Sequence, residues 1–66
     1  MEKLLYSRID AARMLSISVD TLDRLAEHGY IKRLHIGSRC YYTPEALTAF
    51  LGRLVNRGGV DPQEVA

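Results

Sequence analysis

The sequence predicts a mainly α-helical fold with one small β-hairpin, and three observations carry that prediction. Two short amphipathic stretches, "SRIDAARML" and "SVDTLDRLAE", are joined by a link too short for anything but a turn. The apolar period then changes from helical to alternating in "KRLHIGSRCYY", around a central Gly37-Ser38. A longer stretch, "TPEALTAFLGRLVNR", returns to helical spacing and runs into Gly58-Gly59.

Ser7, with Asp10 three residues on, reads as the cap of the first helix, its hydroxyl placed to accept an orphan backbone N–H. That helix runs from Arg8 to about Leu15. Ala11 and Ala12 suit a close crossing by another helix, because larger side chains would push the axes apart. Ser18 caps the second helix and Gly29 stops it, glycine being tolerant of left-handed geometry. Val19, Leu22, Leu25 and Ala26 make its apolar stripe, while Asp20, Thr21, Arg24, Glu27 and His28 occupy the other face.

Lys32–Ile36 and Arg39–Tyr42 are expected to pair as the hairpin. A two-residue link with glycine first favours a type II′ turn. In the last helix Thr43 is the cap, Pro44 takes the first helical position, and Glu45 suits the positive helix end. Leu47, Phe50, Leu51, Leu54 and Val55 follow core-facing spacing, more simply a core-closing helix than a partner-binding one. Tyr6, Tyr30 and Tyr42 read as aromatics at the core edge. Residues 59–66, "GVDPQEVA", have no period and are expected as a disordered tail after a domain spanning 1–58. The order helix, turn, helix, two-stranded wing, closing helix is that of a winged helix-turn-helix.

Composition narrows the function classes. A chain of 66 residues makes one small domain, too small to leave a deep catalytic pocket beside its core. It carries no phosphate-cradling glycine loop or nucleophile elbow, so no enzyme and no cofactor is expected. His28, His35 and Cys40 lack the paired spacing of a zinc site, and His35 and Cys40 are expected on opposite faces of the hairpin. The single cysteine, expected as a buried apolar residue, fits a reducing cytoplasm. "MEKLLYSRID" is too short in apolar residues for a signal peptide, and no apolar run approaches a membrane span. The net charge is only +1, but residues 31–42 hold Lys32, Arg33 and Arg39 and no acid.

Ala12 at the crossing, Ser16 in the turn, and Ala11, Leu15, Ile17, Leu22 and Leu25 as supports match the helix-turn-helix pattern. Together with "EHGYIKRLHIGSRCYYTPEALTAFL", residues 4–51 resemble the excisionase-like, MerR-type winged-helix family. The near-bare domain is more similar to the phage and integrative-element excisionases, or recombination directionality factors, than to larger MerR regulators. The resemblance implies a protein that binds and bends attachment-site DNA cooperatively and steers an integrase toward excision. Its partners would be double-stranded DNA, an integrase and further copies of itself, in a bacterial cytoplasm at the nucleoid. A small phage transcriptional regulator would use the same module. A protein-interaction module without DNA binding is the reading from another class, motivated by the low net charge. The sequence departs from the family at Ser16, where glycine is frequent, and at Val19-Asp20, where relatives are often basic.

In that architecture the second helix enters the major groove with its N-terminal end leading, which nominates Ser18, Thr21 and Arg24. Arg24 can read guanine with its fork. Asp20 and Asp23 either fix Arg24, accept a bond from cytosine, or form a solvated face. Lys32, Arg33, His35, Ser38 and Arg39 lie on or beside the wing, with Arg39 at its tip suited to a narrow minor groove. Tyr41 is a candidate phosphate contact, and Arg53 and Arg57 are candidates for contact with an integrase or another copy. Four to six neutralised phosphates would give a log–log salt slope of about −4 to −5.

Overall fold

A computed structural model describes residues 4–65. Residues 1–3 of the expected domain and residue 66 of the expected tail lie outside them, as does the start of the segment tested for a signal peptide. The described residues form three α-helices and a three-stranded antiparallel sheet, and are mainly helical. In order these are β1 (Tyr6–Ser7), α1 (Arg8–Leu15), α2 (Val19–Glu27), β2 (Leu34–Ile36), β3 (Arg39–Tyr42) and α3 (Pro44–Arg57), followed by a 3₁₀ turn at Pro62–Val65.

Each helix begins on a hydroxyl cap. Ser7 Oγ accepts from Asp10 N, Ser18 Oγ from Thr21 N, and Thr43 Oγ1 from Ala46 N, at 3.0–3.2 Å. Each also ends on a left-handed residue: Ser16 after α1, Gly29 after α2 and Gly58 after α3. After α1, the N–H of Ser16 reaches the Arg13 carbonyl and that of Ile17 reaches Ala12, the paired bonds of a Schellman ending. Gly29 to Ala26 and Tyr30 to Leu25 repeat the pattern after α2. Ser16, at φ +59°, is the one non-glycine among them.

The sheet order is β1-β3-β2, so the expected two-stranded hairpin has a third strand along its other edge. Tyr6 pairs with Tyr42 and Ser7 with Tyr41. A two-residue strand has no periodicity to read, and it exists only because β3 offers it an edge. β2 is shorter than expected, beginning at Leu34 rather than Lys32. Ile36 pairs with Arg39 across the Gly37-Ser38 link, and the positive φ falls on Gly37 alone, as a type II′ turn requires. The same register sets His35 directly opposite Cys40. Facing residues of an antiparallel pair share a face, so the expectation of opposite faces is overturned.

The core is Ala11, Ala12, Leu22, Leu25, Ile31, Tyr42, Leu47, Phe50 and Val65. The two alanines are almost wholly buried, which lets α1 and α2 approach closely. On α3, Leu47 and Phe50 are buried, whereas Leu51 and Val55 stand exposed. A chain this small lacks enough other elements to cover the whole stripe. Cys40 is half-buried.

The expected disordered tail is instead folded back on the body. Val65 is buried and Val60 packs against the core. Glu64 accepts from the Tyr30 hydroxyl at 3.0 Å and from the Asp61 N–H at 2.9 Å, and pairs with Arg57. These bonds hold the Glu64 carboxyl below its ordinary pKa, the Asp61 N–H contributing most. The missing period misled because two apolar anchors five residues apart are enough to dock a short strap.

Tyr42 is the largest side chain buried completely. Its Oη has no hydrogen-bond partner among the described residues. Burial pushes the phenol pKa up, and the charge of Arg33 draws it partly back. Tyr42→Phe is therefore expected to keep urea stability within about 1 kcal/mol of wild type or raise it, since no hydrogen bond is lost. A wild-type tyrosine raised in the fold is deprotonated first in the unfolded chain, so stability falls as pH rises past about 10. That component should vanish in Tyr42→Phe, as urea melts across the alkaline range would read.

Ser16 generates a second expectation. Left-handed backbone costs an L-residue roughly 1–2 kcal/mol, and β-branching makes it worse. Ser16→Gly should leave stability unchanged or raise it by up to about 1 kcal/mol, the gain being offset by the entropy of glycine. Ser16→Val should lower it by more than about 1 kcal/mol in the same denaturant titration.

Candidate functional site

The residues nominated from sequence fall into two groups that no described hydrogen bond or ion pair connects. The first is on α2. The Ser18 hydroxyl accepts from Thr21 N at 3.1 Å and donates to Thr21 Oγ1 at 2.9 Å, so both hydroxyls are engaged in capping. Arg24 is exposed, and its Nε lies 3.2 Å from Asp20 Oδ2, one helical turn earlier. Thr21 and Arg24 also border a largely apolar cleft of about 380 Å³ between α2, α3 and the strap, lined by Ile17, Leu25, Phe50 and Leu54 among others.

Asp20 thus holds Arg24, one of the roles the sequence left open for the acids. Asp23 is paired elsewhere. Its carboxylate receives Arg8 through two donors, Nε at 3.0 Å and Nη2, and Arg8 lies fifteen residues earlier. The hydrogen bond and charge of Asp23 raise the Arg8 pKa further. Arg8 was not among the residues nominated from sequence. A signal was present: an arginine in the first turn of a helix opposes the helix dipole and needs an anion nearby.

The second group is on the hairpin. Lys32, His35, Ser38 and Arg39 are exposed, while Arg33 and Tyr41 are partly covered. Among the described residues no carboxylate pairs with Lys32, Arg33, His35 or Arg39. Two further arginines are engaged beside the strap. Arg57 is bound to Glu64 and stacks over the Tyr30 ring, 5.6 Å from its centroid, and Arg53 donates to the Tyr30 carbonyl. Those two arginines thereby hold the strap and the residue that follows the end of α2.

The start of α1 runs past the open edge of β3. There Ser7, Arg8 and Ile9 face Ser38–Tyr41 across a groove of about 250 Å³. Among the described residues no group of three or more His, Cys, Asp or Glu side chains is placed to hold a metal ion. No described helix is long and apolar enough to cross a membrane. Comparison with protein-family models, curated proteins and solved structures finds no match to this chain.

An exposed ion pair one helical turn apart contributes little, about 0.3–0.5 kcal/mol. Asp20→Asn is therefore expected to shift the urea midpoint hardly at all while releasing Arg24. The check is the Arg24 Nε–Hε resonance, which should move and exchange faster with water.

Proposed function

We propose that this chain is a winged helix-turn-helix DNA-binding architectural protein of the excisionase type. In this reading α2 is the recognition helix, β2-β3 is the wing, and several copies load side by side on attachment-site DNA to steer an integrase. The observation that carries it is the distribution of uncompensated charge. The cations of the hairpin, Lys32, Arg33 and Arg39, have no carboxylate partner among the described residues, and neither has the neighbouring His35, whereas Arg8, Arg24 and Arg57 do. An unneutralised cationic projection beside an amphipathic helix pair is the electrostatic footprint of a phosphate-contacting wing.

The division of labour follows from the pairing. Arg39 and its neighbours provide attraction that is independent of sequence, with Arg39 reaching a minor groove or its phosphate walls. Arg24 reads a guanine edge only after exchanging Asp20 for the base, which lowers affinity and sharpens selection. The Ser18 and Thr21 hydroxyls contact DNA while retaining their cap bonds, since a hydroxyl has more than one hydrogen-bonding site. The compensated face of α2 and the apolar cleft beside it favour a second reading, an interaction module that binds protein alone.

Gel-shift titration against fragments of the source genome separates these. A ladder of cooperative complexes beside an integrase gene supports the excisionase reading, and a single complex at a promoter moves it to a regulator. Arg39→Ala should weaken binding to every duplex and make the salt slope shallower by about 1. Arg24→Ala should relax sequence preference by roughly 1–3 kcal/mol at one base pair. Absence of any salt-sensitive binding would leave the interaction module.

A further inference from the structure

Arg8 has no place in the division of labour above, and its surroundings give it one. β1 pairs with β3 only at Tyr41 and Tyr42, after which the chain turns into α1. The edge of β3 at Arg39 and Cys40 is left open on that side, and the groove between Ser7–Ile9 and Ser38–Tyr41 occupies the gap. Two guanidinium-bearing residues, Arg8 and Arg39, line it together with the hydroxyl-bearing Ser7, Ser38 and Tyr41. Among the described residues no carboxylate does. Asp23 meets Arg8 from outside the groove lining.

A guanidinium has five N–H donors, and Asp23 takes one on Nε and one on Nη2. Three remain: the second Nη2 hydrogen and both Nη1 hydrogens. They form the end-on fork, the geometry that grips two oxygens of one phosphate. Holding the other side of the guanidinium in a carboxylate removes much of its rotamer freedom before any ligand arrives.

We propose that the groove between the start of α1 and the wing is a seat for one backbone phosphodiester of duplex DNA, gripped jointly by Arg8 and Arg39. The seat rests on the DNA-binding reading and adds to it a contact from outside both the recognition helix and the wing. It ties the wing to the helix pair through the ligand, so that α2 and the hairpin address the duplex in a fixed relation. Asp23 acts as the positioning residue for Arg8.

The test uses anisotropy of a labelled random-sequence duplex, because a phosphate contact needs no target site. Each phosphate neutralised contributes about 0.9 to the log–log salt slope, so Arg8→Gln should make the slope shallower by that amount. The ratio of wild-type to variant affinity should then shrink about three- to fourfold between 50 and 200 mM salt. Arg13→Gln, an exposed arginine of α1 outside the groove, should leave the slope unchanged. Arg8→Gln/Arg39→Gln should lose about 0.9 in total if the two share one phosphate, and about 1.8 if they bind separate ones. In the unaltered protein the Arg8 and Arg39 Nε–Hε resonances should both shift as duplex is added.

A wild-type slope retained by Arg8→Gln overturns the seat and leaves DNA binding standing. A double variant losing twice the single effect overturns the shared grip. A wild type with no salt-dependent binding removes the DNA reading, and the seat with it.

Discussion

Everything in this fold hangs on the left-handed turn at Ser16. Three residues separate α1 from α2, so their relative direction is set almost entirely by the backbone there. The Schellman bonds from Ser16 and Ile17 satisfy the last carbonyls of α1, and Ser18 begins the next cap two residues after the first ends. With that geometry fixed, Ala11 and Ala12 meet Leu22 and Leu25, and Asp23 comes within reach of Arg8. A different turn conformation would dissolve the core contact and the ion pair together.

The surface follows a simple electrostatic division. Positive charge near an acid has a structural part to play: Arg57 and Glu64 hold the strap, Arg8 and Asp23 join the two short helices, and Asp20 restrains Arg24. Among the described residues, Lys32, Arg33 and Arg39 gather on the hairpin with no acid paired to them, while Arg13 and Arg53 stand without one on the helices. The net charge of +1 hides this because it averages a largely compensated body with an uncompensated projection. For a domain of this size the projection dominates what a polyanion meets at close range, since the screening length at physiological salt is only about 8 Å.

Local features were legible in the sequence and non-local ones were not. All three hydroxyl caps, the ends of α1 and α3 and the two-residue hairpin link could be read, because each depends on residues within five positions of one another. The shared face of His35 and Cys40 was readable as well, since a two-residue link fixes the register. β1 could not be found, as two residues carry no period and the strand is defined by its partner. The strap was misjudged for a related reason. Val60 and Val65 acquire meaning only beside Tyr30, Phe50 and Leu54, which the chain places many residues earlier. The Arg8–Asp23 pair likewise spans a turn whose geometry no pattern states.

The strap has a practical corollary. Residue 65 lies against the core in the seam between α2 and α3. A bulky group attached at Val65 itself would have to displace it from that seat, beside the helix that carries Arg24. Leu4, by contrast, is 85% exposed ahead of β1. A label attached at Leu4 therefore leaves the Val65 contacts untouched.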